Sequence, residues 1–288
     1  MGMIGVSFAA VFIKMADSHP ITIAAWRMLF AVAMIAPFTI TMRREELLKL
    51  KLFDVLFLSF VGVILAIHFT LWNTSLVYTD VAPSTLLVTS HPLFVALISH
   101  YFFRDRLNKV QAVGILLAFG GVFILVVKDI LNLSFSSGHF IGCVLAFWGG
   151  IAAGVYYLSG RRMRARMSLL TYVTVVYSVC AAALFLSGFL GGVDLVPGAP
   201  REYLIFLALA LIPTIFGHTI HNLVLKHLKA FVVSVSLLGE PIGAAILAFI
   251  IFWPNERPTV YTIVGGLVIL VGIYLTIWGK RSERSEPK

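Results

Sequence analysis

The chain has 288 residues, of which 60% are hydrophobic and 12% charged, and its mean hydropathy is +0.98. Soluble domains carry about 25% charged residues, so this composition excludes a water-soluble protein and indicates a multi-pass protein of the cell membrane. The net charge of +9 is therefore interpreted as a signal of membrane topology, and no nucleic-acid partner is predicted. Cys143 and Cys180 lie in apolar runs without disulfide or metal-binding spacing.

Apolar segments long enough to cross about 30 Å of hydrocarbon predict an all-α membrane fold, because lipid satisfies no backbone polar group. In chain order, ten predicted transmembrane helices lie near residues 2–16, 22–42, 53–74, 81–103, 110–127, 139–159, 168–190, 203–225, 230–252 and 259–279. The first is the weakest, since roughly fifteen residues before Asp17 reach only about 22 Å. Either this helix is short or the natural chain begins upstream of Met1.

Lysine and arginine are concentrated in the connections of one side of this predicted bundle. Those residues are Arg43, Arg44, Lys49, Lys51, Arg104, Arg106, Lys109, Arg161, Arg162, Arg164, Arg166, Lys226, Lys229, Lys280, Arg281, Arg284 and Lys288. The opposite connections hold Lys128, Arg201 and Arg257. The positive-inside rule therefore predicts that both termini lie in the cytoplasm, with residues 281–288 as a charged cytoplasmic tail.

The second half of the chain repeats the pattern of the first. A shift of 149 residues places Asn73 on Asn222 and His91-Pro92 on Glu240-Pro241. Two five-helix repeats are therefore predicted, over residues 1–130 and 131–280. Because five is odd, the second repeat enters the membrane inverted, and inverted repeats are typical of secondary transporters with a site near the midplane. The alternative is a duplicated helical bundle with a structural role alone.

Several segments together carry a resemblance to a known family. In the first half they are SFAAVFIK (7–14), Trp26-Arg27, Asn73, VAPSTLLVTSHPLF (81–94) and FRDRLNKVQAVGILLAFGGV (103–122); in the second half they are LLGEPIGAAILAF (237–249) and NERPTVYTIVGGLVILVGIYL (255–275). With these segments the chain resembles the drug/metabolite transporter superfamily, in its ten-helix EamA-type branch.

The resemblance implies a five-plus-five inverted bundle whose central cavity is lined mainly by helices one, three, four, six, eight and nine. It also implies export of small metabolites such as amino acids or purines, in several cases against a proton. Two departures bear on the substrate: Ile4-Gly5 stands where family members often carry Trp-Gly, and His91 occupies a position that is more often small or apolar.

Glu240 is the one charged residue between Lys229 and Pro254, and it stands almost midway. A charge at bilayer depth costs on the order of a few kcal/mol, so such a residue marks a candidate functional site. Desolvation favours the protonated form, which suits proton coupling, whereas the ionised form suits a substrate ammonium group. Pro241 and its repeat-mate Pro92 are predicted helix breaks. The alternative is a protonated side chain hydrogen-bonded to a neighbouring helix.

Polar and aromatic residues of other spans complete the predicted site. His91 is the repeat-mate of Glu240, so the repeat places the two across one cavity; each histidine has the alternative of a backbone-carbonyl partner. The candidates for substrate binding or coupling are Glu240, His91, His218, His221, Asn222, His68, Trp72, Asn73, Tyr156 and Tyr157. No metal site is predicted, because the close carboxylate-rich spacing of metal transporters is missing.

The two tyrosines and two cations carry further expectations. Tyr156 and Tyr157 suit stacking on a ring-bearing substrate, but adjacent helical residues diverge by about 100°, so at most one is expected to face the cavity squarely. Lys14 and Arg27 fall near external helix ends, where snorkelling or pairing with acidic residues (Asp17 or Asp80) is favoured. The functional alternative is a pair of anion contacts for a carboxylate or phosphate.

These features predict a secondary transporter, not an enzyme, that exports a small polar metabolite by alternating access and couples to protons through Glu240. An amino acid is the favoured cargo, with nucleobases, nucleosides or drug-like cations as alternatives. A lipid-modifying enzyme is disfavoured because the remaining acidic residues are scattered, and a non-transporting scaffold is a further alternative. The sequence GxxxxGK[ST] is absent, so no nucleotide cofactor is predicted.

Overall fold

The computed structural model describes residues 2–95, 98, 108–131, 137–224, 226 and 240–282. In these residues every regular element is helical. The helices are α1 (Gly2–Ser7), α2 (Ala9–Met15), α3 (Pro20–Met42), α4 (Arg44–Leu48), α5 (Leu52–Tyr78), α6 (Val81–Val88), α7 (Lys109–Leu131), α8 (Gly138–Arg164), α9 (Leu169–Leu190), α10 (Pro200–Leu209), a π-helical segment (Ala210–Thr219), α11 (Ile220–Val224), α12 (Glu240–Ile251) and α13 (Val260–Ser282).

Five of the helical runs are long and apolar enough to cross a membrane. They are Pro20–Met42, Leu52–Tyr78, Gly138–Arg164, Leu169–Leu190 and Pro200–Val224. Shorter apolar helical stretches cover Ile4–Met15, Val81–Val95, Lys109–Ile124, Glu240–Ile251 and Val260–Thr276. The prediction of an all-helical membrane protein is therefore confirmed for the described residues. Parts of the predicted spans 81–103 and 230–252, and most of the tail 281–288, lie outside them.

Local sequence accounts for where the long helices begin. Pro20 opens α3, where a missing N–H costs nothing, and the His19 ring accepts a hydrogen bond from Ile21 N at 3.3 Å. Ser137 caps α8 by accepting from Phe140 N at 3.2 Å, and Ser168 caps α9 by accepting from Thr171 N at 3.3 Å. The weak first span is divided into α1 and α2, because Phe8 interrupts the helix.

Helices of the first half pack against helices of the second half. The pairs are α1 with the π-helical segment, α3 with α9, α5 with α8, α6 with α12, and α7 with α13. The backbones of α7 and α13 touch: a Cβ atom added to Gly114 would lie 2.6 Å from Gly272 O, and one added to Gly272 would lie 2.6 Å from Gly114 O. Glycine at both positions therefore permits this close approach.

Large apolar side chains also cover the outside of the bundle. Phe38, Leu56 and Phe189 are 60%, 61% and 75% exposed. Exposing this much apolar surface to water is unfavourable, whereas contact with lipid is not. Buried polar side chains lie inside instead, and among the described residues they include His68, His91 and Glu240. The fold thus places its polar groups between the two halves.

Candidate functional site

A cavity of about 20 Å³ lies between α5, α6, α8, the π-helical segment and α12. Its volume is room for about one water molecule. Most of the side chains predicted for binding or coupling border it: His68, Trp72, His91, Tyr156, Tyr157, His218 and Glu240, together with Leu65, Val88, Thr89 and Ala153. His91 and Glu240 thus border the same cavity. His221, Asn222 and Asn73 do not line it.

The α5 wall consists of two stacked rings. His68 and Trp72 lie one helical turn apart, with ring centroids 5.9 Å apart and an angle of 20° between the planes. His68 Nδ1 lies 2.9 Å from Gly149 O, and because a carbonyl only accepts, this nitrogen carries the proton. In the neutral ring Nε2 is then an acceptor. Asn73 points elsewhere, since its Nδ2 donates to Pro20 O at 3.2 Å and ties α5 to the start of α3.

His91 lies where the helix that begins with α6 is interrupted. A turn at residues 89 and 90 separates Val88 from a helical stretch that resumes at His91. Pro92 has no N–H to donate to Val88 O, and His91 Nδ1 lies 3.4 Å from that oxygen instead. The His91 ring stacks on Tyr157, with centroids 5.1 Å apart, and its buried Nε2 has no hydrogen-bond partner. The residues that precede Glu240-Pro241 lie outside the described part of the chain.

The π-helical segment shapes the opposite wall. The hydroxyl groups of Thr214 and Thr219 donate to the carbonyl oxygens five residues before them, Leu209 O at 2.9 Å and Thr214 O at 3.1 Å. Pro213, inside this segment, lacks the N–H that a regular α-helix would use. Sequence reasoning missed the segment, and Pro213 was the available signal. π-helical turns are frequently found at functional sites.

The polar residues after Pro213 relate to the cavity in different ways. His218 borders the cavity and its Nδ1 lies 3.5 Å from Tyr157 OH. His221 turns back, since its Nδ1 donates to Gly217 O at 2.9 Å. Asn222 Nδ2 donates to Tyr156 OH at 2.7 Å and lies 3.5 Å from Tyr177 OH. Asn222 therefore does not line the cavity but holds the Tyr156 ring, which does.

Both tyrosines of α8 border the cavity, and that at most one of them faces it squarely stays a prediction. Different neighbours hold each ring. Asn222 donates to Tyr156, whereas His91 stacks on Tyr157. The two rings contact each other edge to face, with centroids 5.2 Å apart.

The expectation that Arg27 would snorkel or pair with an acidic residue near an external helix end is wrong. Arg27 is fully buried, its Nε donates to Thr214 Oγ1 at 2.7 Å, and its guanidinium carbon lies 4.5 Å from the centroid of the Phe69 ring. Its Nη1 and Nη2 atoms are buried without hydrogen-bond partners. Arg27 thus stands at the back of the site.

Lys14 has a different environment from the one expected. It forms an ion pair with Glu256, and Asp17 pairs with Arg201. Asp80 lies near the first pair: burial and then the Glu256 carboxylate raise the pKa of Asp80, while the Lys14 cation acts against them. Lys14 is therefore committed to a carboxylate of the same chain, and only Arg27 keeps free donors.

The arrangement is suited to binding rather than to chemical transformation. It offers aromatic faces, imidazole nitrogens and one carboxylate around a small cavity. Among the described residues no three His, Cys, Asp or Glu side chains come close enough to hold a metal ion.

Comparison with known proteins identifies relatives over most of the chain. The sequence profile of the EamA-like transporter family matches residues 1–127 and 140–278. An uncharacterized transporter of Archaeoglobus fulgidus is 28% identical over 94% of this chain and 92% of its own length. A probable terminal-alkyne amino-acid exporter of Streptantibioticus cattleyicolor is 25% identical over 75% of this chain and 72% of its own length.

Two further proteins extend the comparison. The pseudopaline exporter CntI of Pseudomonas aeruginosa is 25% identical over 73% of this chain and 70% of its own length. A protein of known crystal structure, 17% identical, superposes with a TM-score of 0.68 over 96% of this chain and 94% of its own. The latter likeness concerns the fold alone.

Proposed function

Because the chain belongs to the EamA-like transporter family, we propose that it exports small polar metabolites of the amino-acid class by alternating access. The observation that carries the proposal is the cavity between the halves, where Glu240 faces a wall of histidine and tyrosine rings. Two similar proteins are named as exporters: a probable terminal-alkyne amino-acid exporter and the pseudopaline exporter CntI. A nucleobase or nucleoside is the second candidate cargo, since paired rings such as His91 and Tyr157 suit a planar group.

The proposed architecture is ten spans in two inverted repeats, over residues 1–130 and 131–280, with both termini in the cytoplasm. The helix pairs of the described residues support it. If the first and sixth spans are equivalent, and the third and eighth, then the contact of α1 with the π-helical segment is the mate of the contact of α5 with α8. The pairs α3–α9, α6–α12 and α7–α13 map onto themselves, as a twofold relation requires.

The cavity chemistry favours a cargo with an amino group. The Glu240 carboxylate offers charge and the rings of Trp72, Tyr156 and Tyr157 offer aromatic faces, and an ammonium group binds well to both. A cavity of about 20 Å³ is smaller than any amino acid, so the cargo enters only when the two halves move apart. Rocking of one half against the other accomplishes this in transporters with inverted repeats.

The burial of Glu240 supports proton coupling. Its side chain is 7% exposed, and a buried carboxylate without a paired cation is costly, so Glu240 binds either a proton or the cargo ammonium group. When the cavity is open to the more acidic side, a proton replaces the cargo. When it is open to the other side, the cargo replaces the proton. The exchange drives cargo outward against an inward flow of protons.

The experiment compares extracellular metabolites of cells that overproduce the wild type, Glu240→Gln or Glu45→Gln. Glu45 is the matched control, since its side chain is 87% exposed and pairs with Lys49 in the next turn. Amino acids are expected outside cells with the wild type and Glu45→Gln, at levels at least about tenfold above those with Glu240→Gln. Membrane levels of the three proteins are measured in parallel.

Each other outcome of this experiment contradicts one part of the proposal. Equal export by Glu240→Gln removes the coupling role but leaves transport. Accumulation of nucleobases or nucleosides outside the cells, in place of amino acids, would identify them as the cargo. If no compound accumulates with any variant at normal membrane levels, the export function itself is overturned.

A further inference from the structure

Arg27 is a buried cation whose hydrogen-bonding capacity is mostly unused. One of its nitrogens, Nε, donates to Thr214 Oγ1 at 2.7 Å, whereas Nη1 and Nη2 have no partner. A guanidinium group presents its N–H donors in a planar fork that matches a carboxylate. Leaving such donors buried and unpaired is costly, so a buried arginine in this state calls for an explanation.

Arg164 shows that the fold is able to satisfy a buried arginine. Its side chain is 2% exposed, and its Nε and Nη1 donate to Asn222 O at 3.1 Å and Met167 O at 2.6 Å. Both side chains have almost no exposed surface, but only Arg164 is hydrogen-bonded to main-chain carbonyls. The unpaired donors therefore distinguish Arg27 from Arg164.

Arg27 is connected to the cavity wall through two contacts. Its guanidinium group lies over the Phe69 ring, and Phe69 meets the His218 ring edge to face, with centroids 5.9 Å apart. Thr214, which holds Nε, belongs to the same π-helical segment as His218. Movement of this segment would therefore displace the groups that separate Arg27 from the cavity.

We propose that Nη1 and Nη2 of Arg27 bind the carboxylate of the cargo while Glu240 binds its ammonium group. This inference rests on the proposed export function and specifies its substrate class. Arg27 and Glu240 carry opposite charges, and a zwitterion presents the complementary pair. A compound with an amine but no carboxylate leaves the Arg27 donors unpaired and binds more weakly.

The test measures ligand-induced shifts of Tm for the purified full-length protein in lipid nanodiscs. The probes are the common L-amino acids, the carboxamide of each, and nucleobases. The variants are Arg27→Gln, Arg27→Lys and the control Arg164→Gln. For each amino acid that stabilises the wild type, its carboxamide is expected to bind at least about tenfold more weakly.

The variants separate recognition from structure. Arg27→Gln is expected to bind acid and carboxamide equally, Arg27→Lys to keep part of the preference, and Arg164→Gln to keep it fully even if its Tm is lower. Equal binding of acid and carboxamide by the wild type overturns the proposal, as does a full preference in Arg27→Gln. Stabilisation by nucleobases alone overturns it while transport stands, and stabilisation by no probe overturns the amino-acid cargo with it.

A separate group of contacts joins the two halves at the end of the bundle where Lys14 lies. Glu256, 7% exposed, pairs with Lys14 at the end of α2 and accepts a hydrogen bond from Val81 N at 3.0 Å at the start of α6. Glu202, at the start of α10, accepts from Asp17 N and Ser18 N at 3.1 Å each, and from the Ser18 hydroxyl. Two carboxylates of the second half thus hold three elements of the first.

We infer that Glu202 and Glu256 form a latch that keeps this end closed and must release before the cavity opens there. The inference rests on alternating access, and the positive-inside orientation assigns this end to the outside. The Lys14–Glu256 pair and the backbone bonds are largely shielded from water, so their loss costs more than that of a surface pair. The exposed pair of Asp17 and Arg201, 74% and 68% exposed, lies at the same end and is the natural control.

The test follows a reporter cysteine at Thr89, a residue of the cavity wall, in a chain with Cys143→Ser and Cys180→Ser. Intact cells are treated from outside with a maleimide that does not cross membranes. Glu256→Gln is expected to raise the labelling rate about tenfold, because weakening the latch raises the open population. Arg201→Gln is expected to leave the labelling rate unchanged. The charge swap Lys14→Glu with Glu256→Lys is expected to bring the labelling rate most of the way back to that of the parent.

The labelling needs no cargo, so its result is independent of the proposed export function. Equal labelling of Glu256→Gln and its parent overturns the latch, and so does an Arg201→Gln effect as large as that of Glu256→Gln. Faster labelling only from the cytoplasmic face, measured on inside-out vesicles, overturns its assignment to the outside.

Discussion

The repeat predicted from the sequence pairs Asn73 in α5 with Asn222 in the run from Pro200 to Val224, yet these two side chains have different kinds of partner. In α5, His68 donates to Gly149 O and Asn73 to Pro20 O, both main-chain carbonyls. In the later run, Asn222 donates to the Tyr156 hydroxyl and Thr214 accepts from Arg27. Asn73 thus ties α5 to the main chain at Pro20, whereas Asn222 and Thr214 join the later run to side chains of the candidate site. The two asparagines are therefore expected to contribute unequally to the site.

The backbone of the two runs differs as well. α5 is α-helical over 27 residues and contains no proline, whereas Ala210–Thr219 is π-helical and contains Pro213. A π-helical turn holds an extra residue, so it rotates everything after it relative to a regular helix. This rotation gives His218 and Asn222 directions that their counterparts in α5 do not have. The difference in backbone thus explains the difference in partners.

The largest expected effect comes from replacing the corresponding asparagines one at a time. Asn222→Leu removes the donor to Tyr156 OH, which frees a cavity-wall ring, and we expect export per folded protein to fall at least about tenfold. Asn73→Leu removes a bond between α5 and the start of α3, so a loss of about 1–3 kcal/mol of stability is expected with export per folded protein retained.

Export assays with parallel measurement of membrane levels, and thermal unfolding in nanodiscs, check the pair. A tenfold export defect in Asn73→Leu, or normal export by Asn222→Leu, would show that the two halves contribute equally.

An intermediate effect is expected when Pro213 is changed to alanine. Alanine restores an N–H and allows a regular α-helix, which would turn the residues that follow by up to about 100°. We expect export to fall about fivefold while Tm stays equal or rises, since an interior proline is unfavourable in a helix. Ile212→Ala, in the same segment, is the control. A Tm decrease with unchanged export would indicate that the π-helical segment serves folding alone.

The sequence predicted the helices and the composition of the cavity wall because lipid enforces both. Apolar runs of this length have few structural solutions in a membrane, and a polar residue within one must find a protein or water environment. His68, His91, Tyr157 and Glu240 were identifiable on that basis, without knowledge of the fold. That they act in transport stays a prediction, which the variants above address.

Other features depend on distant partners and could not be predicted. Lys14 and Glu256 are 242 positions apart, so no local pattern indicates their pairing. Arg27 looked like a residue near a helix end, but depth along one helix says nothing about which neighbouring helices cover it. Phe69 and Thr214 bury it, and they come from two separate helical runs. Pro213 signalled an irregular helix but not its π-helical form.

The smallest effect is expected at the connection before α9, which resembles the connection before α3. Ser18 N donates to Glu202 before α3, and Ser168 N donates to Glu46 at 2.6 Å before α9. Burial acts to raise the pKa of Glu46, but the hydrogen bonds from Ser168 and Thr171 together with the Arg43 cation outweigh it and hold the pKa below the usual 4.5. A lowered pKa in the folded state stabilises the protein above pH 4.5, and this stability is lost as the pH falls through the lowered value. Because Glu46 is partly exposed, we expect Glu46→Gln to lower Tm by only about 1–2 °C at pH 7, with the difference vanishing in acid. Thermal unfolding of both proteins between pH 7 and pH 3 checks this, and a difference that grew in acid would contradict the assigned role of Glu46.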